Sequence, residues 1–153
     1  MTITGGEITA NGGSYGAGIG GSKGEYLASE KKIHGGDGKV PITGGKITAT
    51  SKSFGAGIGG GSNGSGDVTI EGNTEVNAAG GTGGAGIGSG AGDAKANITL
   101  EGKVTIVAKA GDGNVAIGDI NGEQARKGLA PGSNVTRPDS AGHAISLPGD
   151  HVP

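Results

Sequence analysis

The chain has 153 residues, 39 of them glycine, with one phenylalanine, two tyrosines and no tryptophan, which is too little bulky side chain for a conventional globular core. Twelve basic and 14 acidic residues give a net charge of −2, so no field favours a nucleic-acid backbone, and no apolar run approaches the ~20 residues of a membrane helix. Cysteine is absent, which removes disulfides and thiolate metal sites.

Met1 leads directly into "TITGGEITA", so no secretory leader is expected at this end. From there four copies of one unit follow. Each has two short alternating stretches split by a glycine-marked turn, then a third stretch built on "GAGIG". The first two stretches read "MTITGGEITA", "VPITGGKITA", "VTIEGNTEVNA" and "ITLEGKVTIVA" in successive copies. The third is anchored on Ile19, Ile58, Ile87 and, in the diverged "NVAIG", Ile117, spaced 39, 29 and 30 residues apart.

Alignment on these anchors stacks like residues into columns. Met1, Val40, Val68 and Ile98 form one, and Ile3, Ile42, Ile70 and Leu100 the next on the same strand face. The second strand contributes Ile8, Ile47, Val76 and Ile106, then Ala10, Ala49, Ala78 and Ala108. The columns predict an all-β fold, a parallel β-helix or solenoid of about four coils with three short strands per coil, and leave its handedness open. Glycines after the first and third strands supply the sharp corners.

Two stretches break the period. Residues 21–39, which contain the charged "SKGEYLASEKKIHGGDGK", are an insert that accounts for the longer first spacing, and "EYLASEKKIH" is the one helical-looking stretch. Residues 1–122 form the repetitive body, and 123–153 read as an irregular C-terminal segment placed to cover the last coil.

Units such as "ITGGKITATSKSFGAGIGGG" resemble the glycine-rich β-helical repeat regions of bacterial cell-surface and secreted proteins. The resemblance covers residues 1 to about 120. It implies an extracellular or surface-associated module for spacing, adhesion or contact with a glycan or host-surface ligand, and it supplies no catalytic residues. A stack of few coils also has open sheet edges, which predicts weak homo-oligomerisation.

Candidate chemistry lies where the columns are broken. Tyr15 and Phe54 occupy one column that continues as Gly83 and Gly113. Stacked at a corner, the two rings either close the turns against water or receive a sugar face, and Tyr26 in the insert extends that surface. Glu71 and Glu101 fall on adjacent coils, and Asp112 and Asp119 lie near corners. These four are the candidate calcium ligands, although calcium needs six to eight oxygens and no calcium-loop motif is present. The alternative is a solvated acidic rim.

Other chemistries find less support. "GAGIG" lacks the Lys-Ser or Lys-Thr pair of a phosphate loop. His34, His143 and His151 share no metal-ligand spacing. A polysaccharide-degrading β-helix needs a positioned acid–base pair, and Arg126, Arg137, Asp112 and Asp119 do not establish one. An ice-binding threonine array starts at Thr2 and Thr4 but is interrupted by Pro41, Glu71 and Glu101. "NVT" at 134–136 matches a glycosylation acceptor without a eukaryotic secretory context.

Overall fold

The computed structural model describes residues 1–29, 32–34, 36–138, 144–145, 147 and 149–153. Its strands form three stacked parallel ladders around a narrow aliphatic interior. Coil 1 holds β1 (Glu7–Gly12) and β2 (Ile19–Gly20), and its first strand is reduced to a bridge between Ile3 and Ile42. An insert follows with β3 (Glu25–Leu27) and β4 (Lys32–His34). Coil 2 contains β5 (Gly38–Ile42), β6 (Gly45–Ser51) and β7 (Ile58–Gly59). Coil 3 contains β8 (Gly66–Ile70), β9 (Thr74–Ala79) and β10 (Ile87–Gly88). In coil 4 these places are taken by β11 (Ala96–Gly102), β12 (Val104–Lys109) and β13 (Ile117–Asp119).

The register is the one that the columns require. Ile19, Ile58, Ile87 and Ile117 pair in sequence along the third sheet. In the second sheet Ile8 pairs with Ile47, Ile47 with Val76 and Val76 with Ile106. Val40, Val68 and Ile98 line up in the first. Period two sends these side chains inward, and from coil 2 to coil 4 they are essentially fully buried. Burying each branched aliphatic chain stabilises the stack by about 1.5–3 kcal/mol, which is how a chain so poor in aromatics sustains a core.

The end of the stack departs from that pattern. Met1, which the columns place inward, is 70% exposed and lies outside the ladder, whose pairing in this coil starts at the Ile3–Ile42 bridge. Ile8 and Ala10 are only half-buried, since β1 is the edge strand of its sheet.

The "GAGIG" unit is a pinch in the chain. Ala17 N–H donates to Gly21 C=O at 2.9 Å, Ala56 to Gly60 at 2.9 Å and Ala85 to Ser89 at 2.9 Å. Each bond closes a loop around a two-residue strand whose isoleucine points inward. The glycine after that isoleucine has φ between 132° and 142° in all four coils, which glycine alone adopts readily. In coil 4 the pinch is replaced by side chains. Val115 N–H donates to Asn114 Oδ1 at 2.8 Å, and the Asp119 carboxylate accepts from Ala96 and Asn121 N–H at 2.9 Å each.

The solenoid extends past residue 122, where the sequence places the end of the repeat. After β14 (Gly122–Glu123), β15 (Ala125–Leu129) pairs in parallel with β11, and β16 (Asn134–Pro138) with β12. The last coil changes its inward chemistry. Lys127 pairs with Leu100 in register, and Arg137 stands two residues after Val135 as Ala108 stands after Ile106. Both cations reach the carboxylate of Asp150, which is 1% exposed. Leu147 N–H donates to the same carboxylate at 2.7 Å. A column that is aliphatic for four coils thus ends in an ion cluster around Asp150. Antiparallel pairing of β14 on β13, of β17 (Ala144–Ile145) on β16, and of His151 with Asn134 closes this end.

The insert also differs from the sequence reading in detail. The described part of "EYLASEKKIH" is an antiparallel hairpin of β3 on β4, with Tyr26 opposite Ile33. Its base is tied to coil 2 by Gly24 N–H to Ser62 C=O at 3.0 Å and Gly61 N–H to Gly36 C=O at 2.7 Å.

Candidate functional site

Tyr15 and Phe54 meet at the corner between the second and third sheets, on coils 1 and 2. Their ring centroids are 5.5 Å apart and the planes are inclined by 16°, an offset stack in the favourable range. Both rings remain well exposed, at 45% and 39%. Backbone bonds from the neighbouring coils fix the two residues. Ser62 N–H donates to Tyr15 C=O and Ala91 N–H to Phe54 C=O, both at 2.7 Å. Lys23, at the start of the insert, places its Nζ 4.8 Å from the Tyr15 ring centroid, a cation–π contact.

Phe54 sits at φ 59°, a left-handed conformation that bulky residues rarely adopt. The same column in coils 3 and 4 holds Gly83 at φ 77° and Gly113 at φ 86°. From coil 2 to coil 4 this corner takes positive φ, while Tyr15 in coil 1 does not, and coil 2 adopts it with an aromatic residue at a cost of about 1–2 kcal/mol. Ala91 explains why the stack stops at coil 3. A Cβ on Gly83 would lie 2.9 Å from that of Ala91.

Beyond Phe54 the same edge opens into a groove of about 840 Å³ over coils 2 to 4. Lys52, Lys109 and Asp112 line it with Gly81 and Gly111, and Arg137 and Leu147 form its far wall. Charge is unevenly distributed between the two ends of the second sheet. Lys52 and Lys109 outnumber Asp112 at this corner, while Glu7, Glu71, Glu75 and Glu101 outnumber Lys46 and Lys103 at the other.

The four candidate calcium ligands are dispersed. Glu71 and Glu101 are neighbours one residue past the paired Ile70 and Leu100, at the corner between the first and second sheets. Asp112 lies at the aromatic corner, and Asp119 at the end of β13, 2% exposed with its carboxylate engaged by backbone N–H groups. Among the described residues no three acidic or histidine side chains gather around a common point. Tyr26 is 62% exposed on the hairpin. His143 lies outside the described residues, and His151 is exposed beside the C-terminal bridge.

Sequence columns alone bring Tyr15 and Phe54 together. They do not find Lys23, whose position depends on how the insert leaves coil 1, nor the groove, whose far wall comes from the non-repetitive tail. The strain at Phe54 carries a sequence signal, since its column is glycine in both later coils.

Three stretches, residues 2–23, 42–62 and 68–91, match the family model described as a β-helix repeat. They correspond to coils 1, 2 and 3, and the match stops before the coil in which "NVAIG" replaces "GAGIG". Neither a curated protein nor a solved structure gave a significant match. Over these three coils, whose ladders and pinches the structure shows residue by residue, the chain is similar to the β-helix repeat family.

Proposed function

We propose that this chain is a non-catalytic structural or adhesive module of a bacterial surface or secreted protein. The observation that carries this reading is the use made of the repeat. The recurring isoleucines, valines and alanines fill the interior, and the recurring glycines form pinches and corners. Repetition here builds a rigid stack, as it does in other solenoids, and supplies spacing and a long lateral surface.

A second reading is supported by Phe54. Residues held in strained backbone regions cluster at binding and catalytic sites, and Phe54 is strained where glycine serves in the later coils. With Tyr15 it forms an exposed aromatic step beside a groove. In this reading the module holds a carbohydrate, with a sugar face packed against the step and hydroxyls bonded to polar groups nearby.

A glycan array followed by calorimetric titration separates the two. Saturable binding that weakens at least tenfold in Phe54→Gly and Tyr15→Ala, with unchanged circular dichroism, supports recognition. Absence of glycan binding by the intact chain leaves the scaffold reading alone. Turnover of any polysaccharide overturns both.

A further inference from the structure

We infer that the edge between the second and third sheets takes a linear acidic glycan, one carrying uronate carboxylates, laid along the solenoid axis from Phe54 across coils 3 and 4. This rests on the carbohydrate reading above and assigns its ligand class. Three observations combine. First, the aromatic column carries no side chain of its own beyond Phe54, and its space is open at coil 4. Gly83 and Gly113 present no side chain, and the space where a Cβ would stand on Gly113 has nothing within 4 Å. Ala91 fills the Cβ space at Gly83, so the open part of the column is at Gly113 in coil 4, which lines the groove.

Second, the groove that fills this vacancy is locally cationic in a chain whose net charge is −2. Lys52 and Lys109 are exposed and belong to coils 2 and 4, two coil spacings apart, or about 9.6 Å along the axis. Arg137 at the far wall is engaged by the buried Asp150 carboxylate, which leaves the two lysines as the exposed cations of the groove. Third, the floor is backbone and small side chains, Gly80, Gly81, Ala110 and Gly111, which lets a polymer approach closely. Asp112, the one carboxylate lining the groove among the described residues, suits a sugar hydroxyl donor. A uronate polymer meets all three conditions, with ring faces for Phe54, carboxylates for the two lysines and a hydroxyl for Asp112.

The competing occupant is the acidic corner of a second copy, where Glu71, Glu75 and Glu101 cluster. Charge alone fits that partner equally well. The aromatic step does not, because it offers nothing to a row of carboxylates and is served by pyranose faces.

The test uses the full chain with alginate oligomers, their methyl esters and poly-glutamate, by isothermal titration at low salt and at 1 M salt. The expected result is binding of alginate, at least fivefold weaker binding of the ester, and strong weakening at 1 M salt, where the Debye length falls to about 3 Å. Lys52→Ala and Lys109→Ala should each lower alginate affinity about two- to fivefold, the range of an exposed ion pair. Lys39→Ala removes the same charge at a different corner and should change nothing. Thermal midpoints confirm that the variants fold.

Equal binding of alginate and ester, insensitive to both lysines, overturns the acidic assignment and leaves the carbohydrate reading intact. Equal binding of poly-glutamate overturns the glycan part of the inference. Binding of neither alginate nor ester overturns the inference, and the array then decides the wider reading. Self-association that salt and Lys52→Ala abolish, without alginate binding, assigns the edge to a second copy instead.

Discussion

Replacing Gly57 with alanine tests whether the repeated motif exists for steric reasons. Gly57 is the glycine between the alanine and isoleucine of the coil 2 pinch. A Cβ there would lie 2.7 Å from both Ala79 N and Gly86 O, and 3.0 Å from Ala49 O. All three are backbone atoms, and real Cβ atoms essentially never approach within 3.0 Å. Gly57 cannot retreat. Its N–H donates to Ala85 C=O and its carbonyl accepts from Ile19 N–H, both at 3.0 Å, so moving it disturbs coils on either side. Overpacking of this kind costs about 1–3 kcal/mol, and the relief that alanine gives by restricting the unfolded chain is only about 0.4–1 kcal/mol. The net loss should be about 1–2 kcal/mol, or a fall of about 2–8 °C in thermal midpoint for a chain of this size. Two controls isolate the cause. Gly13→Ala meets nothing within 4 Å at ordinary φ and should be neutral or slightly stabilising. Gly113→Ala meets nothing within 4 Å but sits at φ 86°, so it should show the backbone cost alone, about 1–2 kcal/mol. Calorimetric or urea unfolding of the three variants gives the comparison. A Gly57→Ala midpoint equal to that of Gly13→Ala would refute the steric account.

Further expectations follow from other parts of the stack. Phe54→Gly should be more stable than Phe54→Ala by about 1–2 kcal/mol in urea unfolding, because only glycine relieves the positive φ; the reverse order would remove the strain argument. Asp150→Ala removes the buried carboxylate that both Lys127 and Arg137 engage and should destabilise the C-terminal coil by about 1–3 kcal/mol, read as faster amide exchange in β15 and β16; unchanged exchange there would show that this carboxylate does not hold the cap. Amides of β3 and β4 should exchange faster than those of the isoleucine ladder, since an isolated two-stranded hairpin is marginal; equal protection would contradict this. The cavity of about 480 Å³ at coil 1, lined by Ile3, Ile8, Ala10 and Ile19, should support weak self-association that Ile8→Lys abolishes; a constant monomer mass in light scattering well above micromolar concentration would end that proposal.

The fold was largely legible because each interior position is specified several times over. Ile47 predicts an inward strand residue through its own period-two neighbours, and again through Ile8, Val76 and Ile106 in the same column. A single deviation such as Val107, outward and 37% exposed, does not disturb that inference. Repetition also explains what the sequence hid. Lys127 and Arg137 stand in inward columns, yet their coil has lost the anchor isoleucine by which the others are aligned. A charge at an inward position reads as a loop until Asp150, far along the tail, is known to meet it.

The candidate site lies between these extremes, and its parts separate according to the same rule. The stack of Tyr15 on Phe54 follows from column alignment, because parallel in-register pairing places equivalent residues of adjacent coils one above the other. The groove does not, because its far wall comes from Arg137, Pro138 and Leu147, which have no counterparts in earlier coils. The dispersed carboxylates show the opposite failure. Glu71 and Glu101 are close because they share a column, but Asp112 and Asp119 belong to other corners of the cross-section. Closeness along the chain could not bring those four together. In a solenoid, a shared column is what makes neighbours, and any site assembled across corners has to be built by an insert or a tail that leaves the repeat.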